Sequence, residues 1–140
     1  MTIEQLTRTN QAVLGSSPDV LIVESNPHVS GVVELLLKHE NYQTRTIRDG
    51  QAAIQYINYR NPTSLVILDV DLPYIDGYNV IKKINANKKW HNVPVVFLSS
   101  KATEDDIVRC FKLGASDYIL KPFLPSELVA RINRLVRQAA

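Results

Sequence analysis

From Val20 onward the chain alternates short apolar runs rich in Val and Ile with longer segments whose apolar residues return at helical spacing. Few architectures accept that pattern. A strand that is apolar at every residue must be covered on both faces, and parallel strands joined by helical crossovers provide that cover. The runs Val20–Val23, Leu65–Leu68, Val95–Leu98 and Tyr118–Leu120 are continuously apolar or nearly so. Gln43–Ile47 is a more polar strand candidate between the first two.

The intervening segments read as helices. Asn26-Pro27 supplies an N-cap and a first-turn proline for a helix carrying Val29, Val32, Val33, Leu36 and Leu37 inward. Further helices are expected at Gln51–Asn58, Tyr78–Asn87, Glu104–Leu113 and Pro125–Gln138, with Gly114 in the left-handed position that stops the fourth. Five β-α units in this order predict an α/β fold, a doubly wound parallel sheet with helices on both faces, because right-handed crossovers must pack back on the sheet.

The rest of the composition narrows the class. At 140 residues the chain matches one domain in size, read here as a domain over residues 20–140 after an N-terminal arm and linker over residues 1–19. Ile3, Leu6, Val13 and Leu14 would allow only a weak helix in that arm. The net charge of +2, with acidic and basic residues interspersed, carries no nucleic-acid signal, and no direct nucleic-acid binding is expected. The single cysteine, Cys110, excludes an internal disulfide, no run approaches the about 18 apolar residues of a membrane span, and no signal peptide opens the chain. A cytoplasmic protein is the expectation.

In doubly wound sheets ligands bind beyond the carboxyl ends of the strands. Glu24-Ser25 follows the first strand, Asp69 the third, Ser99 the fourth and Lys121-Pro122 the fifth. A carboxylate at the end of an apolar strand is costly unless a cation or hydrogen-bond donors meet it. Together these residues offer a carboxylate nucleophile, a second carboxylate for a hard divalent ion, a hydroxyl and an ammonium, a set suited to phosphoryl transfer onto Asp69.

The segment Leu65-Val66-Ile67-Leu68-Asp69-Val70-Asp71-Leu72-Pro73-Tyr74-Ile75-Asp76-Gly77 resembles the phosphorylation segment of response-regulator receiver domains. Pro94 to Ser100 resembles their fourth strand and Gly114 to Phe123 their fifth, so that the likeness runs from Val20 to about Gln138. The resemblance implies a CheY-like, flavodoxin-like sheet of order 2-1-3-4-5 with five helices in a three-layer sandwich. It implies Asp69 as phosphoacceptor, Lys121 as partner of the phosphoryl group, Ser99 and Tyr118 as switch residues, and a cis Lys121–Pro122 bond. Magnesium would be held by Glu24, Asp69 and the backbone carbonyl of Asp71. The family usually places two acidic residues after the first strand, and Ser25 stands where the second would be. Weakened magnesium affinity is therefore expected, with the Asp71 side chain within range to compensate.

Plainer readings stand beside these. Tyr118 is equally readable as a fixed edge residue, and Asp76-Gly77 as a simple turn. His28, His39 and His91 lack metal-ligand spacing and are expected at the surface. Trp90 is read as partly buried, with an exposed, partner-touching ring as the alternative. Arg131, Arg134 and Arg137 recur at three-residue spacing and read as a solvated face. Asp117 and Arg131 match positions that pair across a dimer in receivers joined to winged-helix domains, which raises a homodimer as a hypothesis, although Ile107 departs from that pattern.

The resemblance implies a histidine kinase or histidine phosphotransfer protein as donor, and a downstream protein partner at the face of the fourth helix, fifth strand and fifth helix. Since nothing follows Ala140, the signal is expected to leave through that surface. The chain would not be an enzyme beyond its own phosphorylation and dephosphorylation. A phosphorylation-independent receiver, motivated by Ser25, is the alternative. Asp69-Val70-Asp71 also resembles the nucleophile motif of haloacid-dehalogenase-type phosphatases, but it does not follow the first core strand and later acidic ligands are lacking.

Overall fold

The computed structural model describes residues 18–139, so the expected arm lies almost wholly outside the described residues. Five strands form one parallel sheet: β1 (Asp19–Val23), β2 (Gln43–Ile47), β3 (Leu65–Leu68), β4 (Val95–Ser99) and β5 (Asp117–Leu120), in the order β2-β1-β3-β4-β5. The helices are α1 (Pro27–His39), α2 (Gly50–Tyr59), α3 (Gly77–Ala86), α4 (Glu104–Lys112) and α5 (Pro125–Ala139). The expected fold is the one observed.

Strand alternation divides the core in two. Val20, Ile22, Leu65, Ile67, Val96, Leu98 and Ile119 face α1 and α5, where Val33, Leu37, Leu128 and Ile132 meet them. Leu21, Val23, Val66, Leu68, Val95 and Phe97 face α2, α3 and α4. Each fully buried aliphatic side chain contributes about 1.5–3 kcal/mol of transfer free energy, so β1 and β3, buried almost throughout, anchor the sheet from its centre. The polar strand β2 occupies the edge, where exposed Gln43, Thr44 and Arg45 cost nothing.

The helix starts follow local capping chemistry. The Asn26 side chain accepts from the His28 amide at 2.9 Å with Pro27 in the first turn, and Asp49, Asp76 and Thr103 cap α2, α3 and α4. Gly114 ends the α4 segment at φ +98°, a left-handed backbone that favours glycine. The simple-turn reading of Asp76-Gly77 is too modest. Asp76 is an N-cap, and a Cβ on Gly77 would lie 2.2 Å from the Asp69 carbonyl oxygen. Only glycine lets α3 approach the end of β3 this closely.

Trp90 is fully buried rather than partly exposed, its indole nitrogen donating to the Arg60 carbonyl at 3.1 Å, which leaves no ring surface for a partner. The arginine stripe is solvated, as expected, but two of its members are also paired: Arg131 reaches both oxygens of Asp117 at 3.1 and 3.0 Å and the exposed Arg134 reaches it at 3.3 Å, while Arg137 lies outside that cluster. The pair matched to a dimer contact is thus made within one chain here. His28, His39 and His91 are exposed, as expected.

Candidate functional site

Register brings the chemistry together. β3 pairs with β1 on one side and β4 on the other, and β4 pairs with β5, so Ser99 at the end of β4 and the residues just past Val23, Leu68 and Leu120 share one edge of the sheet. The Asp69 amide donates to the Val23 carbonyl at 3.0 Å and the Lys121 amide to the Ser99 carbonyl at 2.9 Å, which extends the ladder into the site. Lys121–Pro122 is cis.

The Lys121 ammonium stands 3.0 Å from Asp69 Oδ2 and also binds Glu24 Oε1. Glu24 and Asp69 are almost wholly buried, and each has its other oxygen occupied. The Asn26 amide reaches Glu24 Oε2 at 3.1 Å, and the Asp71 amide reaches Asp69 Oδ1 at 3.2 Å. Two carboxylates therefore share one ammonium in a site with little solvent. Burial, reinforced by the neighbouring Glu24 charge, pushes the Asp69 carboxyl up to about 6, while Lys121 and the Asp71 amide pull the other way. Burial opposes the Lys121 ammonium, but bonds to Glu24 and Asp69 outweigh it and raise its pKa above the ordinary value.

Ser99 is fully buried, its Oγ accepting from the Lys101 amide at 3.2 Å. Tyr118 points inward, packs beside Phe97 with ring centroids 6.5 Å apart, and donates its hydroxyl to the Lys101 carbonyl. Ser25 lies half-buried next to Glu24. Asp71 does not join Glu24 and Asp69: its exposed side chain pairs with Lys101 at 3.7 Å. Among the described residues no three acidic, histidine or cysteine side chains surround a common point. The donor set nevertheless fits a hard divalent cation, since two buried carboxylates outnumber the one ammonium.

Sequence reasoning missed Lys101, which touches Asp71, Ser99 and Tyr118 together. Its only signal was a lysine two residues beyond Ser99 in a loop at the carboxyl edge. It also missed Arg109, whose guanidinium lies 3.8 Å from the centre of the Tyr78 ring and ties α4 to α3. The Tyr78 hydroxyl beneath is buried without a hydrogen-bond partner, and burial pushes it up to about 12.

The family model for the response regulator receiver domain matches residues 20–133. The response regulator GtcR of Aneurinibacillus migulanus is 37% identical over 123 residues, 88% of this chain and 49% of that protein. The chain spans about half the length of the curated relatives it matches. Among solved structures, the receiver domain of the Francisella response regulator 1452 aligns with a TM-score of 0.81 at 27% identity, covering 89% of this chain and all of that one. The receiver domain of sensor histidine kinase PA1611 from Pseudomonas aeruginosa PAO1, described with a magnesium ion coordinated in its active site cleft, aligns with a TM-score of 0.79 at 29% identity, covering 87% and 99%. No helix among the described residues is long and apolar enough to cross a membrane. Matched over most of its length by that model, the chain belongs to the response-regulator receiver domains of two-component signalling.

Proposed function

We propose that Asp69 accepts a phosphoryl group from a histidine kinase or histidine phosphotransfer protein, and that the resulting change of shape is read by a protein partner. The observation that carries this reading is the Asp69 carboxylate held 3.0 Å from the Lys121 ammonium at the carboxyl edge of the sheet. A carboxylate oxygen attacks phosphorus, the bond to the donor nitrogen breaks, and Asp69 becomes an acyl phosphate. Lys121 then pairs with a phosphoryl oxygen, which draws it away from one carboxylate. Glu24, Asp69 and the Asp71 carbonyl would hold magnesium, which when bound supplies positive charge opposite the phosphoryl oxygens. With Ser25 contributing no charge, that ion binds weakly.

Ser99 and Tyr118 carry the change outward. In the form described here the Tyr118 hydroxyl is already engaged inside by the Lys101 carbonyl, and Ser99 is tied to the same residue. A phosphoryl group that recruits the Ser99 hydroxyl competes with that tie and repositions the loop before α4. The face of α4, β5 and α5 exposes Val108, Phe111 and Leu120, apolar side chains suited to a protein partner.

Incubation with magnesium and acetyl phosphate, followed by intact mass, tests the reading: a gain of one phosphoryl group in the native chain and none in Asp69→Asn supports it. The Ser25 substitution and the engagement of Asp71 by Lys101 favour a second reading, a constitutive binding module that is not phosphorylated. Uptake in Ser25→Asp but not in the native chain supports that one.

A further inference from the structure

Lys101 lies in the loop between β4 and α4, and its backbone is held from both sides: the amide donates to Ser99 Oγ at 3.2 Å and the carbonyl accepts from the Tyr118 hydroxyl. The side chain is thereby presented across the mouth of the site. Its ammonium meets Asp71, in the loop that follows the neighbouring strand β3, at 3.7 Å. Glu24, Asp69 and Asp71 supply three negative charges against two positive charges from Lys101 and Lys121, so the cluster retains a single net negative charge. Ser25 has already removed one charge that would attract a cation, and Lys101 offsets another.

We infer that Lys101 is a positioning residue that competes with the divalent ion for Asp71, an ammonium built into the loop that occupies the carboxylate best able to replace the missing acid at Ser25. The inference rests on the metal reading given above. Both partners are partly exposed, with 37% of the Lys101 side chain and 62% of the Asp71 side chain accessible, so the effect is that of a surface ion pair. Removing the ammonium while keeping the apolar stem, in Lys101→Met, frees Asp71 to face the ion. Magnesium then binds about two- to fivefold more tightly.

Any lost positive charge near the site would raise cation affinity somewhat, so the diagnostic quantity is the coupling between Lys101 and Asp71. Calorimetric titration with magnesium chloride is run on the native protein, Lys101→Met, Asp71→Asn and the double variant. The inference expects tighter binding in Lys101→Met and no gain from the same substitution once Asp71 is Asn. A measurable native titration left unchanged by Lys101→Met, or an equal gain in both backgrounds, overturns the inference while leaving the metal reading intact. Flat titrations for all four proteins overturn the metal reading and this inference together.

Discussion

Asp69 and Asp117 are equally hidden aspartates at opposite edges of one sheet, 5% and 6% exposed, yet they are neutralised in opposite ways. Asp117, at the start of β5, accepts from Arg131 Nη1 at both carboxylate oxygens and from Arg134 at one. Asp69, at the end of β3, shares a single ammonium with a second buried carboxylate, Glu24. The first aspartate belongs to a balanced cluster, Arg131 and Arg134 set against Asp117 and Glu127, and fixes α5 against the sheet. The second has less positive charge than it needs, so its charged form is held at a disadvantage that an incoming cation or a phosphoryl transfer relieves. Cation supply, rather than depth of burial, separates the structural carboxylate from the chemical one.

The largest expected consequence concerns chemistry. Asp69→Asn abolishes phosphoryl uptake from acetyl phosphate, whereas Asp117→Asn leaves uptake within a few-fold of native, with rates followed by intact mass. If both substitutions cost equally, the contrast fails. Next comes packing around the reactive carboxylate: Gly77→Ala forces backbone apart beside Asp69 and costs about 1–3 kcal/mol in urea unfolding, because the added methyl meets the Asp69 carbonyl 2.2 Å away. Asp117→Asn should cost about 1–2 kcal/mol by the same measurement, the value of charge-assisted bonds to two arginines.

A pH effect separates the aspartates further. Asp69 titrates at about 6 in the fold against 3.8 as an ordinary carboxyl, so the folded state binds more protons between those values. Its contribution to stability is therefore full below about 4 and is lost as pH rises through 6. In metal-free buffer, Asp69→Asn should match the native protein below pH 4 and exceed it in thermal midpoint above pH 6, with the gap opening in that window. A gap that is constant with pH would contradict the shared-ammonium account. The smallest effect is expected at Arg134, more than half exposed and making one contact at 3.3 Å: Arg134→Ala should move stability by no more than about 0.5 kcal/mol.

Much of this was legible before any coordinates. Four apolar runs needed cover on both faces, which left little besides a doubly wound parallel sheet, and topology then carried Glu24, Asp69, Ser99 and Lys121 to one edge. Capping residues such as Asn26 advertised their helices because that chemistry is local. What stayed hidden depended on how loops and distant elements meet. Nothing near Asp71 in sequence announces that its partner is Lys101, and the spacing of Arg131 and Arg134 does not say that Asp117 lies beneath them. Trp90 sits among Lys and Asn, which disguises its packing against Tyr56 and the end of α2.

The account stands or falls on where a phosphoryl group goes. After incubation with magnesium and acetyl phosphate, borohydride reduction of the acyl phosphate and peptide sequencing by mass spectrometry read the modified position directly. Homoserine at position 69, with Glu24, Asp71 and Asp117 intact, is the predicted result. A label on any other carboxylate, with Asp69 unmodified, would contradict it.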